Sequence, residues 1–175
     1  MGSPKKQRKK YHGPSHMWQK VRLDEERPLK KEYALSNKNE IWKMGSFIKK
    51  AAMQAKKLIA EQSEQAEKEK SLLLQKLKRL GLLKSDAAVE DCLGLSLKDI
   101  LERRLQTLVY KKTLAKSTKQ ARQFIVHRHI KIGNKIVTSP SHIVSIDEEP
   151  QIGFSENSAL ADPAHPEREV KEANK

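Results

Sequence analysis

The sequence predicts an α+β protein. A basic N-terminal arm leads into a helical region, followed by a small module of two helices packed on a short antiparallel sheet, and then an extended acidic C-terminal tail. Three observations predict this order. Apolar residues recur at helical spacing in residues 41–59, 73–80 and 101–125. After Ile130 the spacing changes to alternation around Gly133-Asn134, a pair suited to a tight hairpin. Charge is also regional. Lys and Arg outnumber acids sixteen to five in residues 1–57 and ten to one in 101–146, but the ratio is seven to eight in 58–100 and three to eight in 147–175. These shifts divide the chain at 1–36, 37–100, 101–146 and 147–175.

The arm carries Lys5, Lys6, Arg8, Lys9 and Lys10 within six residues, too polar a run to fold alone. Against a phosphate surface such cations release condensed counterions and bind without regard to sequence. Tyr11 and Trp18 suit stacking on exposed bases, and Trp18 serves equally as a local packing anchor. Pro28 predicts that the helix through RLDEER begins near that residue or kinks there.

Asn37 and Glu40 form an N-x-x-E cap signal. After it Ile41, Met44, Ile48, Ala55, Leu58 and Ile59 mark an amphipathic helix that carries lysines on its other side. Leu73, Leu77 and Leu80 make a stripe that stops at Gly81. It is too short for a coiled coil, so it predicts packing within a small helical bundle. The lone Cys92 excludes an intramolecular disulfide and reads as a small packed hydrophobe. Ser96 and Asp99 announce the helix that opens the module.

Within the module, Leu101, Leu105, Leu108 and Val109 predict a first helix with one buried face. Ser117 and Gln120 form an S-x-x-Q capping box for a second helix, which buries Ala121, Phe124 and Ile125. Ile130, Ile132 and Ile136 flank the hairpin, Pro140 interrupts, and His142 to Ile146 reads as another short strand.

The module's charge points to its partner. Arg103, Arg104, Lys111, Lys112, Lys116, Lys119, Arg122, Arg128, Lys131 and Lys135 stand against the single acid Glu102. Like charges in one compact unit repel each other, so a polyanion is the natural partner. A merely solvated helix face would need none. Here, however, the cations sit at element ends among Ser117, Thr118, Gln120, Gln123, His127, His129 and Asn134, types that bond phosphate, ribose and base edges. The expected partner is RNA. Changing Lys119 and Arg122 to Ala is expected to weaken RNA binding and leave thermal stability nearly unchanged.

LERRLQTLVYKK, STKQARQFIVHRHI, the Gly-Asn hairpin and TSPSHIVSI resemble the RNA-binding domain named after small-subunit ribosomal protein S-four. KKQRKKY, PSHMWQK, RLDEER and NEIWK extend the likeness to the archaeal-type branch of that family. The resemblance implies two helices against a small antiparallel sheet, with the second helix and hairpin lying on structured small-subunit (16S-type) ribosomal RNA. It further implies early binding during assembly, organisation of a helix junction, a contribution to translation accuracy, and contact with ribosomal protein S-five and other small-subunit proteins near the messenger entry path. Some bacterial relatives carry a zinc-binding cysteine cluster and an Asn-Gly turn. This chain has neither, and its Gly-Asn order implies a different turn type.

No apolar run here matches a membrane span or signal-peptide core, so a cytoplasmic chain, with no membrane contact, is expected. No homo-oligomer and no cofactor are expected. His127 and His129 lack neighbouring ligands for a metal. Glu148-Glu149 lacks a pocket-forming context for acid-base chemistry, and no phosphate-cradling loop or nucleophile elbow occurs. Domains of the S-four type also decorate pseudouridine synthases and tRNA synthetases, but the rest of this chain is too short and too charged to supply a catalytic domain. The sequence therefore predicts a ribosomal scaffold protein and no enzyme. A free RNA-binding regulator or ribosome-rescue factor is the competing reading, and the long N-terminal arm argues against it.

Overall fold

The computed structural model describes residues 2, 9, 11–162 and 165–167. Among them, α1 (Lys20–Glu32), α2 (Lys38–Ala60) and α3 (Glu64–Arg79) precede α4 (Leu97–Glu102), α5 (Leu105–Lys111) and α6 (Thr118–Val126). The strands β1 (Ile130–Ile132), β2 (Lys135–Ile136) and β3 (Ile152–Phe154) form one antiparallel sheet in the order β2-β1-β3. The fold is mixed α+β with a helical N-terminal part, as the sequence predicts.

Pro28 neither starts nor breaks α1, since the helix runs through it. Proline removes one backbone donor. The buried Glu26 supports the surrounding turns by accepting hydrogen bonds from Arg22 Nη1 (2.6 Å) and Trp42 Nε1 (2.9 Å) and pairing with Lys38 Nζ (3.1 Å). Helix α3 opens on Ser63, whose hydroxyl accepts from Ala66 N–H. It closes on a Schellman turn, in which Leu82 N–H donates to Leu77 O and Gly81 N–H to Lys78 O, with Gly81 at φ +69°. Ser96 and Asp99 form the full capping box of α4.

The single helix expected from Leu101 onward is two helices, broken at Arg103-Arg104. Arg104 is extended (φ −71°, ψ 143°), and the backbone around it bonds elsewhere. Leu105 N–H donates to His142 O at 2.8 Å, and Val144 N–H to Arg103 O at 3.0 Å. That pairing replaces helical bonds. It also uses the stretch expected as a third strand, which makes only an isolated bridge, Arg104 to Ile143.

The third strand comes instead from the segment expected to be an acidic extended tail. Ile152 stands opposite Ile132, and Phe154 opposite Ile130. Ile152 and Leu160 are buried with Leu105, Val109, Phe124, Ile125, Ile130 and Val144 in one core. The described residues from 147 to 162 are therefore folded against the module. Burying two large apolar side chains outweighs the solubility of the single acid between them, Glu156. A second core joins α1, α2 and α4 through Tyr33, Leu35, Ile41, Met44, Ile100 and Leu101. A third packs Ala55, Leu77 and the fully buried Cys92, whose thiol burial pushes upward in pKa.

Candidate nucleic-acid interface

Helix α6 is held at both ends by its own sequence. Ser117 Oγ accepts from Gln120 N–H at 3.2 Å. Gln120 Oε1 reaches one residue beyond the cap and accepts from Lys116 N–H at 2.7 Å, a longer clasp than an ordinary capping box. At the other end His129 N–H donates to Phe124 O and Arg128 N–H to Ile125 O, a Schellman turn with Arg128 at φ +67° where glycine is usual. Ala121, Phe124 and Ile125 face the core, leaving Lys119, Gln123, His127 and Arg128 exposed. In the hairpin, Gly133 has φ +57° and Asn134 does not share a positive φ, the pattern of a type II′ turn.

The structure sorts the cations of the module into two groups. The side chains of Lys119, Arg128 and Lys135 are exposed and make no hydrogen bond or ion pair with another described residue. The others are tied within the protein. Arg103 donates to Leu80 O (3.0 Å), Val144 O (3.2 Å) and Glu149 Oε2 (2.7 Å), a cross-tie between α3 and the C-terminal segment. Arg104 is only 1% exposed and pairs with Glu40. The expected reach of Arg104 to an RNA strand is thus corrected, because a guanidinium locked under α2 meets no solvent. Arg122 also pairs with Glu40, at 3.0 Å, and is half-buried. Lys131 pairs with Glu156, Lys111 with Glu102 (3.0 Å), and Lys116 Nζ donates to Pro166 O (3.1 Å).

Among the neutral candidates, Ser117, Gln123, Asn134 and His127 are exposed, Thr118 and Gln120 half-buried. His129 lies with its ring near-parallel to that of His127, 6.3 Å between centroids, and its Nδ1 is 2.7 Å from Ser158 Oγ. In the arm, Lys9 is exposed, while Lys5, Lys6, Arg8 and Lys10 lie outside the described residues. Tyr11 rests 6.5 Å from the Trp42 ring with Lys43 Nζ 6.0 Å away. Trp18 is 90% exposed, so it is no packing anchor. The turn that carries it is pinned by Arg22, which donates to His16 O and Met17 O. A second basic surface lies along α2, where Lys43, Lys49, Lys50, Lys56 and Lys57 are exposed.

Sequence reasoning missed two residues that position α6. Glu40 looked like a helix cap; the Asn37 side chain makes no cap bond, and the Glu40 carboxylate accepts from Ser36 N–H at 3.3 Å and also reaches Arg104 and Arg122, which no cap signal announces. Gln106 lies in a helical run with no signal of its own, but its buried amide donates to Thr118 O at 2.9 Å. Among the described residues no group of three or more His, Cys, Asp or Glu could hold a metal, and no helix is long and apolar enough to cross a membrane.

Residues 103–149 match the S4 domain family. Over nearly its whole length the chain is similar to several archaeal proteins. It is 49% identical over 176 residues to small ribosomal subunit protein uS4 of Methanococcus aeolicus, covering 99% of each chain. It is 47% identical over 169 residues to the protein of that name from Nanoarchaeum equitans, covering 95% of this chain and 94% of the other. With that of Methanococcus maripaludis it shares 46% over 169 residues, 96% and 95% of the two chains.

Proposed function

This chain belongs to the family of small ribosomal subunit protein uS4, whose members are ribosomal proteins and not enzymes, and from that premise we propose that it binds small-subunit ribosomal RNA directly. The observation that carries the proposal is the run of unengaged cations along α6, its C-terminal turn and the hairpin: Lys119, Arg128 and Lys135, interleaved with exposed Gln123, His127 and Asn134. Cations bring affinity by displacing counterions, and polar groups at fixed positions add shape and register. Lys116, Ser117, Thr118 and Lys131 border this run and contribute phosphate and ribose contacts once RNA competes for their present partners.

The exposed lysines of α2, with the basic arm and Trp18, take further RNA segments. The protein then holds a helix junction in its assembled shape, early in assembly, on the cytoplasmic small subunit. Ribosomal protein S-five and other small-subunit proteins are its protein neighbours, and through that neighbourhood it contributes to translation accuracy.

The test is the affinity of the purified chain for small-subunit ribosomal RNA, with an equal-length unrelated RNA as competitor, over a salt series. Saturable binding that survives competitor at physiological salt is expected. Equal affinity for both RNAs, lost together in salt, would reduce the reading to general polyanion attraction.

A further inference from the structure

Glu40 stands in the first turn of α2, Arg104 at the start of α5 and Arg122 within α6. Glu40 Oε1 accepts from Arg122 Nη2 at 3.0 Å, and Oε2 takes Arg104 Nη2 and lies 3.5 Å from Arg122 Nη1. The same Arg122 Nη1 donates to Gln106 Oε1 at 3.4 Å. Gln106 Nε2 in turn meets Tyr33 O, Ala34 O and Thr118 O at 3.3, 3.4 and 2.9 Å. One largely buried network thus joins the α1–α2 corner, the start of α5 and the first half of α6.

Its position matters because the two exposed basic surfaces lie on the elements it joins. On α2, Lys43, Lys50 and Lys57 recur every seven residues, roughly 10 Å apart along one side of the helix. On the module, Lys119, Arg128 and Lys135 follow α6 into the hairpin. A carboxylate shared by two guanidiniums is directional at both ends, so it fixes a distance and an angle that apolar packing alone fixes less sharply.

We propose that Glu40 is a positioning residue for RNA: by holding Arg104 and Arg122 it sets the basic side of α2 against the α6–hairpin surface, so that one folded RNA meets both at once. The inference rests on the RNA-binding reading above. When two contact surfaces are held at a fixed separation, the second contact becomes intramolecular and gains from a high effective concentration. Loosening the joint removes that gain only for an RNA large enough to span both surfaces. Glu40 need not touch the RNA.

The experiment uses the full chain and two variants, Glu40→Gln and Arg122→Gln, with thermal unfolding recorded for each. Binding is measured to a short RNA duplex, which covers one surface, and to small-subunit ribosomal RNA. Both variants are expected to bind the short duplex like the parent chain and to lose roughly tenfold or more on the ribosomal RNA. Glu40→Gln leaves two guanidiniums without their carboxylate; should it fail to fold, Arg122→Gln, which keeps the Glu40–Arg104 pair balanced, decides alone. Equal weakening on both RNAs would make these side chains direct contacts or simple fold determinants and overturn the proposal, as would undiminished binding to ribosomal RNA. If the parent chain itself shows no preference for ribosomal over unrelated RNA, the functional reading falls and this inference with it. A parent that shows the preference alongside variants that keep it sinks the inference alone.

Discussion

Glu40 on α2 accepts a hydrogen bond from Arg122 on α6 at 3.0 Å, across 82 residues of sequence. Burial alone would raise the Glu40 pKa, but the bonds from Arg122 and Arg104 outweigh it and hold the carboxyl below its ordinary value of 4.5. Glu26 shifts the same way, with burial opposed by Trp42, Arg22 and Lys38. A carboxyl lowered in the folded state stabilises the fold above its unfolded pKa, and that stability is lost as pH falls through the folded value. The thermal midpoint of the parent chain is therefore expected to fall as pH drops below about 4.5. Glu40→Gln is expected to show a shallower fall. Parallel midpoint–pH profiles for the two proteins would show that Glu40 contributes nothing to acid sensitivity.

Lys119 and Arg122 are three residues apart on α6, yet they separate by role. The Lys119 side chain is exposed and makes no hydrogen bond or ion pair with another described residue, whereas Arg122 bonds Glu40 and Gln106. Lys119→Ala should leave stability within about 0.5 kcal/mol and lower the salt dependence of RNA binding by about one cation. Arg122→Ala should lose about 1–3 kcal/mol, because it leaves polar groups at a half-buried junction without their partner. Denaturant unfolding of the two variants measures the difference, and it replaces the expectation that both could be removed without affecting stability.

Arg128 and Thr113 both sit in the left-handed region, at φ +67° and +57°, each just past the end of a helix. An L side chain there costs about 1 kcal/mol relative to glycine. Thr113→Gly is expected to raise stability by about that amount with RNA affinity unchanged. Arg128→Gly is expected to raise stability similarly and to weaken RNA binding, since it deletes one of the unengaged cations. Unfolding midpoints and binding isotherms on the same preparations check both signs. Unchanged affinity in Arg128→Gly would remove Arg128 from the interface.

The periodicity of Ile41 to Leu58 and of Ala121 to Ile125 is enough to place α2 and α6, because each buries one stripe, and Ser117 caps α6 from within its own sequence. Capping at Ser96 and the Gly81 stop were legible for the same reason: their partners lie within a few residues. What stayed hidden depends on residues far apart. The break at Arg104 is caused by pairing with residues 142–144, and Glu40 finds its partners 64 and 82 residues away. Composition counts charges without showing which are already paired. Arg103, Arg104 and Arg122 look like Arg128 in sequence, and each is tied to a carboxylate in the fold.

Strand β3 was the least legible element, three residues inside an acidic stretch, and it bears on where the folded module ends. Ile152 is 7% exposed and pairs with Ile132, covering an edge of β1 that would otherwise present open backbone groups. Ile152→Ala should cost about 3 kcal/mol, the range for truncating a buried isoleucine. Ile136, on the other edge strand, is 47% exposed, and Ile136→Ala should cost less than about 1 kcal/mol. Chemical unfolding of both variants sets the contrast. Equal losses would mean that the core does not depend on β3, and a chain ended at Ile146 would then fold. With the expected contrast, that shortened chain lacks both Ile152 and Leu160 from the core and does not fold, a result far-UV circular dichroism reads directly.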